Sequence, residues 1–289
     1  MITREGHLAL ALRETLRLPA RVDLSALAQD LKLSIVEADA DSFDGALLCS
    51  RNRLSGRILV KRSMREEGRK RFTVAHEIGH FILHRERQIS CLPSDIARWE
   101  NAGENPERQA DNFASELQLP SHELLKQIGD GSPSFQLIGS LADFFGTSLT
   151  ATARKYCEVA PQECAVVWSV DGTIRWMHPA GRFRHWIGTG REIMDQTLAR
   201  QMLDGQQLAS SGMQEVPAEA WISDYRLPEG ATILEESRTM PFYNGCLSLL
   251  WAKREIRYRN YEEEERLKEL DPQEFTHKRA VWPTKKKRR

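Results

Sequence analysis

The amino-acid sequence predicts an α+β protein, and three observations carry that prediction. Short strand-like runs lie between residues 33 and 61, a long helical pattern holds His-Glu-Ile-Gly-His at 76–80, and strand-like texture returns after about residue 161. We therefore expect a first α+β unit over 1–130, a helical segment over 131–160 and a second α+β unit over 161–260. A charged helix and a basic tail should occupy 261–289.

The first elements alternate helix and strand. Ser25 can cap a short helix whose apolar residues share one side, and Leu33–Ala38 then alternates as a strand does. The runs Gly45–Cys49 and 57–61 flank a loop with Asn52 and Gly56, which is typical of a β-hairpin. Three short strands are thus expected before the first long helix.

Two longer helices should follow, over about 66–85 and about 106–119. The second has Asn105 as a capping residue, Pro106 at its first position and Pro120 just beyond its end. The residues between the two helices look irregular. Next, two short helical patterns over 135–156 are broken at 146–148, which indicates a helical hairpin or a helix-turn-helix.

The last predicted unit is rich in strands. Asp171 and Gly172 join two strand-like runs, 165–170 and 173–178, and this dipeptide is a strong hairpin signal. A helix over 191–203 and strands over 231–238 and 245–252 complete the unit. A charged helix is expected over 261–270.

Composition excludes several classes of protein. The 289 residues contain 41 Lys+Arg and 41 Asp+Glu, so a globally basic nucleic-acid binder is disfavoured. The five cysteines form no CxxC pair, and no run approaches the roughly 20 apolar residues of a membrane span. No signal peptide is recognisable, so we expect a cytoplasmic protein. Seven positive charges fall in the last 13 residues, which leaves an acidic body and confines any electrostatic attraction to DNA to the tail.

The motif at 76–80 predicts a catalytic metal site. In a helix, residues four apart share a face, so His76 and His80 can bind one ion while Glu77 lies beside its water. A third ligand is needed, and Glu107 on the second long helix is slightly favoured over Asp111, with Glu104 as a further competitor.

His84 continues the face of His76 and His80, but three side chains along one straight helix do not converge easily on one ion. We therefore expect His84 to support the site from outside or to be solvated. His122, just after the second helix, is a weak candidate for the group that stabilises an oxyanion.

These residues resemble the ImmA/IrrE-type zinc metallopeptidase family. The similar stretches are LSALAQDLKLSIVEAD, DGALL, RFTVAHEIGHFILH and ERQADNFASELQLP, which lie in order within about residues 20–120. The resemblance implies a zincin-like fold, the metal ligands His76, His80 and Glu107, and Glu77 as catalytic base. The implied cofactor is one Zn²⁺ ion, with Mn²⁺ as the alternative. The sequence reads Leu-Gln-Leu-Pro at 117–120, where the family commonly has Leu-Leu-Met-Pro.

The resemblance also implies an activity. Family members cleave helix-turn-helix transcriptional repressors and so relieve repression in stress responses or mobile elements. A sheet edge, supplied by 57–61 or by Gly45–Cys49, is expected to hold the substrate. The region 135–156 resembles the helix-turn-helix-like segment that follows the peptidase in the family. Because some relatives carry a sensor domain, the resemblance also suggests a sensor-like role for the α+β unit over 161–260. The alternative is a metal-binding transcriptional regulator or protein-binding module without peptidase activity, but Glu77 between the histidines favours catalysis.

Overall fold

Two β-sheets organise the protein. The computed structural model describes residues 2–39, 43–84, 105–206, 211–224, 226–253 and 256. The first part comprises α1 (Arg4–Leu16), α2 (Leu24–Asp30), β1 (Leu33–Ala38), β2 (Gly45–Cys49), β3 (Gly56–Lys61), α3 (Glu67–Leu83), α4 (Pro106–Gln118) and α5 (Ser121–Ile128). The second comprises α6 (Phe135–Phe145), α7 (Leu149–Val159), β4 (Cys164–Val170), β5 (Thr173–Pro179), α8 (Leu198–Leu203), β6 (Gln214–Pro217), β7 (Thr232–Met240) and β8 (Gly245–Trp251).

The three-stranded sheet has the order β1-β3-β2. Strand β3 pairs parallel with β1 and antiparallel with β2. The run 57–61 therefore lies at the centre of the sheet, and the expectation that it could offer a free edge was wrong. Strand β2 is an edge strand of the sheet as far as the described residues extend.

The helix that carries the histidine motif is close to its predicted length. α3 ends at Leu83, and the N–H of His84 donates to the carbonyl of His80. Asn105 caps α4 as predicted, because its side chain accepts hydrogen bonds from the N–H groups of residues 107 and 108 at 3.0 and 3.3 Å. Of the segment 86–105, which was expected to be irregular, residues 86–104 lie outside the described part of the chain.

Other expected termini differ. The cap of α2 is Asp23 and not Ser25, since its carboxylate accepts hydrogen bonds from the N–H groups of residues 25 and 26 and so begins the helix at the buried Leu24. The helix expected over 191–203 starts only at Leu198. Residues before it pair with the sheet instead, as the N–H of Ile193 donates to the carbonyl of Gly172. The charged helix at 261–270 lies outside the described residues.

The five-stranded sheet is antiparallel throughout, with the order β5-β4-β8-β7-β6. Because successive strand residues face opposite sides, β4 serves two cores. Cys164 and Val166 belong to a cluster with helices α5 to α7, and Ala165 and Val167 belong to a cluster on the opposite face. A third cluster joins α1 to α4 with the small sheet. Among the described residues, no helix combines the length and apolarity that a membrane span needs.

Candidate metal centre

Close packing of α3 on α4 positions the candidate metal centre. Gly79 lies at the contact, where an added Cβ would be 3.2 Å from the carbonyl oxygen of Ala110. Phe113 and Ala114 of α4 are fully buried in the core that α3 shares. Small and apolar side chains of α4 thus allow the two helices to pack closely.

Three side chains from these helices converge. The Nε2 atoms of His76 and His80 lie 3.0 Å apart, and the Glu107 carboxylate is 3.2 Å from the first and 3.3 Å from the second. Donor atoms around a tetrahedral zinc ion with bonds of about 2.0–2.1 Å are roughly 3.3 Å apart. The donor set of two imidazoles and one carboxylate also suits zinc. The residues present therefore fit the metal that the sequence implies.

The competitors for the third ligand are placed elsewhere. Asp111 faces the opposite nitrogen of the first histidine, with its Oδ1 2.9 Å from His76 Nδ1. His84 lies behind His80, with the two Nδ1 atoms 3.1 Å apart. Glu104 lies outside the described residues. His122 lies on α5, half exposed, within 3.8 Å of a neighbouring carboxylate and outside the converging group.

Glu107 is held in its anionic form. Burial opposes ionisation, but hydrogen bonds from His76 and His80 in the metal-free cluster outweigh it and keep the pKa of Glu107 well below its usual range. A carboxylate that lies within 3.3 Å of both imidazole nitrogens is placed to share an ion with them.

Glu77 is almost completely buried beside the cluster. Burial raises its pKa to about 7, with nearby Glu107 adding to the rise and His76 opposing it. A carboxyl group with such a pKa can accept and release a proton near neutral pH. The arrangement can therefore perform general acid–base chemistry.

The edge strand begins next to this carboxyl group. A Cβ built on Gly45, the first residue of β2, would lie 2.9 Å from Glu77 Oε1 and 2.3 Å from Thr73 Cγ2. Only glycine permits so close an approach. Sequence reasoning missed this contact, because nothing in the local pattern around Gly45 reveals which helix the strand crosses. It also missed Gln109, whose Oε1 is 2.8 Å from His84 Nε2.

The residues of the candidate metal centre lie within a region that matches a known protein family. Residues 28–156 match the family model of Peptidase M78, the IrrE N-terminal-like domain. Among solved structures, a Mycobacterium tuberculosis transcriptional regulator is similar, with a TM-score of 0.51 and 12% sequence identity. The alignment covers 86% of this chain and 77% of that one, and this likeness concerns the fold alone. No curated protein matches the sequence.

Proposed function

Because residues 28–156 belong to the ImmA/IrrE-type metallopeptidase family, we propose that this protein is a zinc-dependent endopeptidase whose substrate is a helix-turn-helix transcriptional repressor. The observation that carries the proposal is the convergence of His76, His80 and Glu107 beside a buried Glu77. A purely structural site would need the ligands but not the carboxyl group.

The proposed roles follow from the chemistry of these side chains. His76, His80 and Glu107 would hold the ion, and zinc in such a site supplies Lewis-acid chemistry at a carbonyl group and makes water more acidic. Glu77 accepts the proton of the attacking water and passes it to the leaving amine. Its buried position beside the three ligand side chains places it to make both transfers.

The substrate would bind as an extended strand on β2. An edge strand offers unpaired backbone N–H and C=O groups to a peptide, and Gly45 brings the start of β2 against Glu77. A peptide paired with β2 therefore passes the catalytic carboxyl group. The repressor as substrate, relief of repression in a stress response or a mobile element, and a cytoplasmic location rest on the family resemblance.

The contacts of α7 argue against the alternative of a DNA-binding regulator. A recognition helix reads DNA through its N-terminal residues, yet this end of α7 packs on α3. A Cβ on Gly68 of α3 would lie 2.6 Å from the backbone nitrogen of Ser148. The two basic residues of α7 are also engaged within the protein: Arg154 lies 5.6 Å above the Trp176 ring, and Lys155 is buried in an ion pair.

Incubation of the zinc-loaded protein with a helix-turn-helix repressor encoded beside it tests the proposal. Wild-type protein should cleave the repressor, and EDTA should stop cleavage. Glu77→Gln should lower the rate by about 10²–10⁴-fold while it still binds zinc, because only the base is removed. Glu67→Gln is the matched control, since Glu67 is an exposed glutamate in the first turn of the same helix.

Two results would contradict the proposal. Cleavage by Glu77→Gln at the wild-type rate would overturn the role of the base. Failure of the zinc-loaded wild-type protein to cleave its neighbouring repressor would favour the regulator without peptidase activity.

A further inference from the structure

A chain of hydrogen bonds extends from His80 away from the candidate metal centre. His80 Nε2 points to the cluster, and its other nitrogen, Nδ1, lies 3.1 Å from His84 Nδ1. His84 Nε2 in turn lies 2.8 Å from Gln109 Oε1. The side chain of His80 is 2% exposed and His84 is 7% exposed, so the first hydrogen bond of the chain is shielded from solvent.

Only one direction of this chain leaves His80 able to bind a metal. A neutral imidazole carries a single proton, and a ligand nitrogen must carry none. If Nε2 of His80 binds the ion, the proton resides on Nδ1 and is donated to His84 Nδ1. His84 then carries its own proton on Nε2 and donates it to the amide oxygen of Gln109, which can only accept. The opposite direction would put a proton on His80 Nε2 and block the ligand position.

The two histidine ligands are supported differently. His76 Nδ1 faces the carboxylate of Asp111, whose side chain is 55% exposed. Behind His80, the described contacts lead through an imidazole and then an amide, and both histidine side chains are buried. Water can replace an exposed hydrogen-bond partner, but it cannot readily replace a buried one. The orientation of His80 therefore depends more on its protein partner than that of His76.

We propose that His84 and Gln109 are positioning residues that fix the ring orientation and the tautomer of His80, and so set the affinity of the site for zinc. The inference rests on the proposed metal site and extends it to two residues that bind no ion themselves. Groups that hold a metal-binding histidine from outside change metal affinity by about 10–100-fold when they are removed.

Zinc affinity, measured by competition with a fluorescent chelator on the full chain, tests the proposal. His84→Leu keeps an apolar side chain of similar size but removes the acceptor, and it should weaken zinc binding by about 10–100-fold. His84→Asn places Oδ1 where Nδ1 stood, so it should bind within about threefold of wild type. Gln109→Leu should weaken zinc binding by about tenfold. Because Gln109 is partly exposed, this variant tests the same hydrogen-bond chain if His84→Leu fails to fold. His7→Leu, at an exposed histidine of α1, is the control and should bind as wild type does.

A spectroscopic signature separates the hydrogen bond from mere packing. In zinc-loaded protein labelled with ¹⁵N-histidine, a slowly exchanging imidazole N–H from His80 should be present in wild type and in His84→Asn. It should be absent in His84→Leu, because exchange speeds up when the buried acceptor is lost.

The outcomes are distinct. Wild-type affinity in His84→Leu and Gln109→Leu, or equally weak binding by His84→Asn and His84→Leu, would overturn the positioning role. A wild-type protein that binds no zinc would overturn the ligand set. Zinc binding that follows the expected order, without cleavage of a repressor, would overturn the peptidase proposal and leave this inference standing.

Discussion

The buried ion pair between α4 and α7 is expected to contribute strongly to the stability of the protein. Lys155 Nζ lies 2.6 Å from Glu116 Oε1 and 2.9 Å from Glu158 Oε2. The side chains of Lys155 and Glu116 are only 7% and 5% exposed. In Lys155→Met the aliphatic stem remains, but the positive charge that faces Glu116 is lost. The N–H and hydroxyl of Ser121, which also donate hydrogen bonds to the Glu116 carboxylate, would remain.

The expected loss of stability is about 3–5 kcal/mol, because the loss of one partner leaves a charge in the interior without compensation. For a protein of this size that corresponds to a fall of roughly 6–20 °C in melting temperature. Adding Glu116→Gln to Lys155→Met removes both charges and keeps an acceptor for Ser121. This double variant should recover most of the loss.

Urea denaturation, followed by tryptophan fluorescence and by far-UV circular dichroism, measures the effect, provided that the two transitions coincide. Arg62→Met is the matched control. Arg62 pairs with Asp39 at 2.7 Å, but the two side chains are 56% and 80% exposed, so its loss should cost less than about 1 kcal/mol. A loss below 1 kcal/mol in Lys155→Met as well would refute the reasoning, since the buried pair would then behave like the exposed one.

Two further predictions concern pH and backbone conformation. Hydrogen bonds from His178 and Lys155 outweigh burial and lower the pKa of Glu158 to about 2. The ionised form of Glu158 therefore stabilises the fold above about pH 4.5, and this contribution is lost as the pH falls toward about 2. Melting curves of Glu158→Gln should depend less on pH over that range, and an unchanged dependence would contradict the assignment. Gly146 has φ +69° and lies against Arg21. Gly146→Ala should therefore lower the free energy of unfolding, measured by urea denaturation, by about 1–2 kcal/mol. An unchanged or higher value would contradict the strain argument.

The helices of the site could be predicted because their signals are local. The spacing of His76 and His80 in an apolar pattern defines α3, and Asn105 with Pro106 defines the start of α4. The choice between Glu107 and Asp111 could not be settled in this way. Both lie on the side of α4 that faces α3, and only the packing of the two helices decides which imidazole nitrogen each carboxylate meets.

Sequence reasoning missed α1 for a different physical reason. Its buried residues are Gly6, Ala9 and Arg13, so its inner side has no apolar periodicity. The guanidinium of Arg13 donates to the carbonyl of Leu117 at 2.7 Å, which satisfies both groups in the interior. A helix held by a small-residue contact and a buried arginine cannot be recognised by a search for apolar stripes.

The helical hairpin of α6 and α7 has a consequence for how far the protein can be divided. The family match ends at residue 156, yet the buried side chains Phe135, Phe145 and Tyr156 pack with Val166 and Leu249 of the five-stranded sheet. A fragment that ends at residue 156 would lack the part of this hydrophobic core that the second sheet supplies. The apolar side chains of the two hairpin helices would then be exposed to water. The matched region therefore ends inside a hydrophobic core, and a fragment that keeps both hairpin helices buried must also include the second sheet.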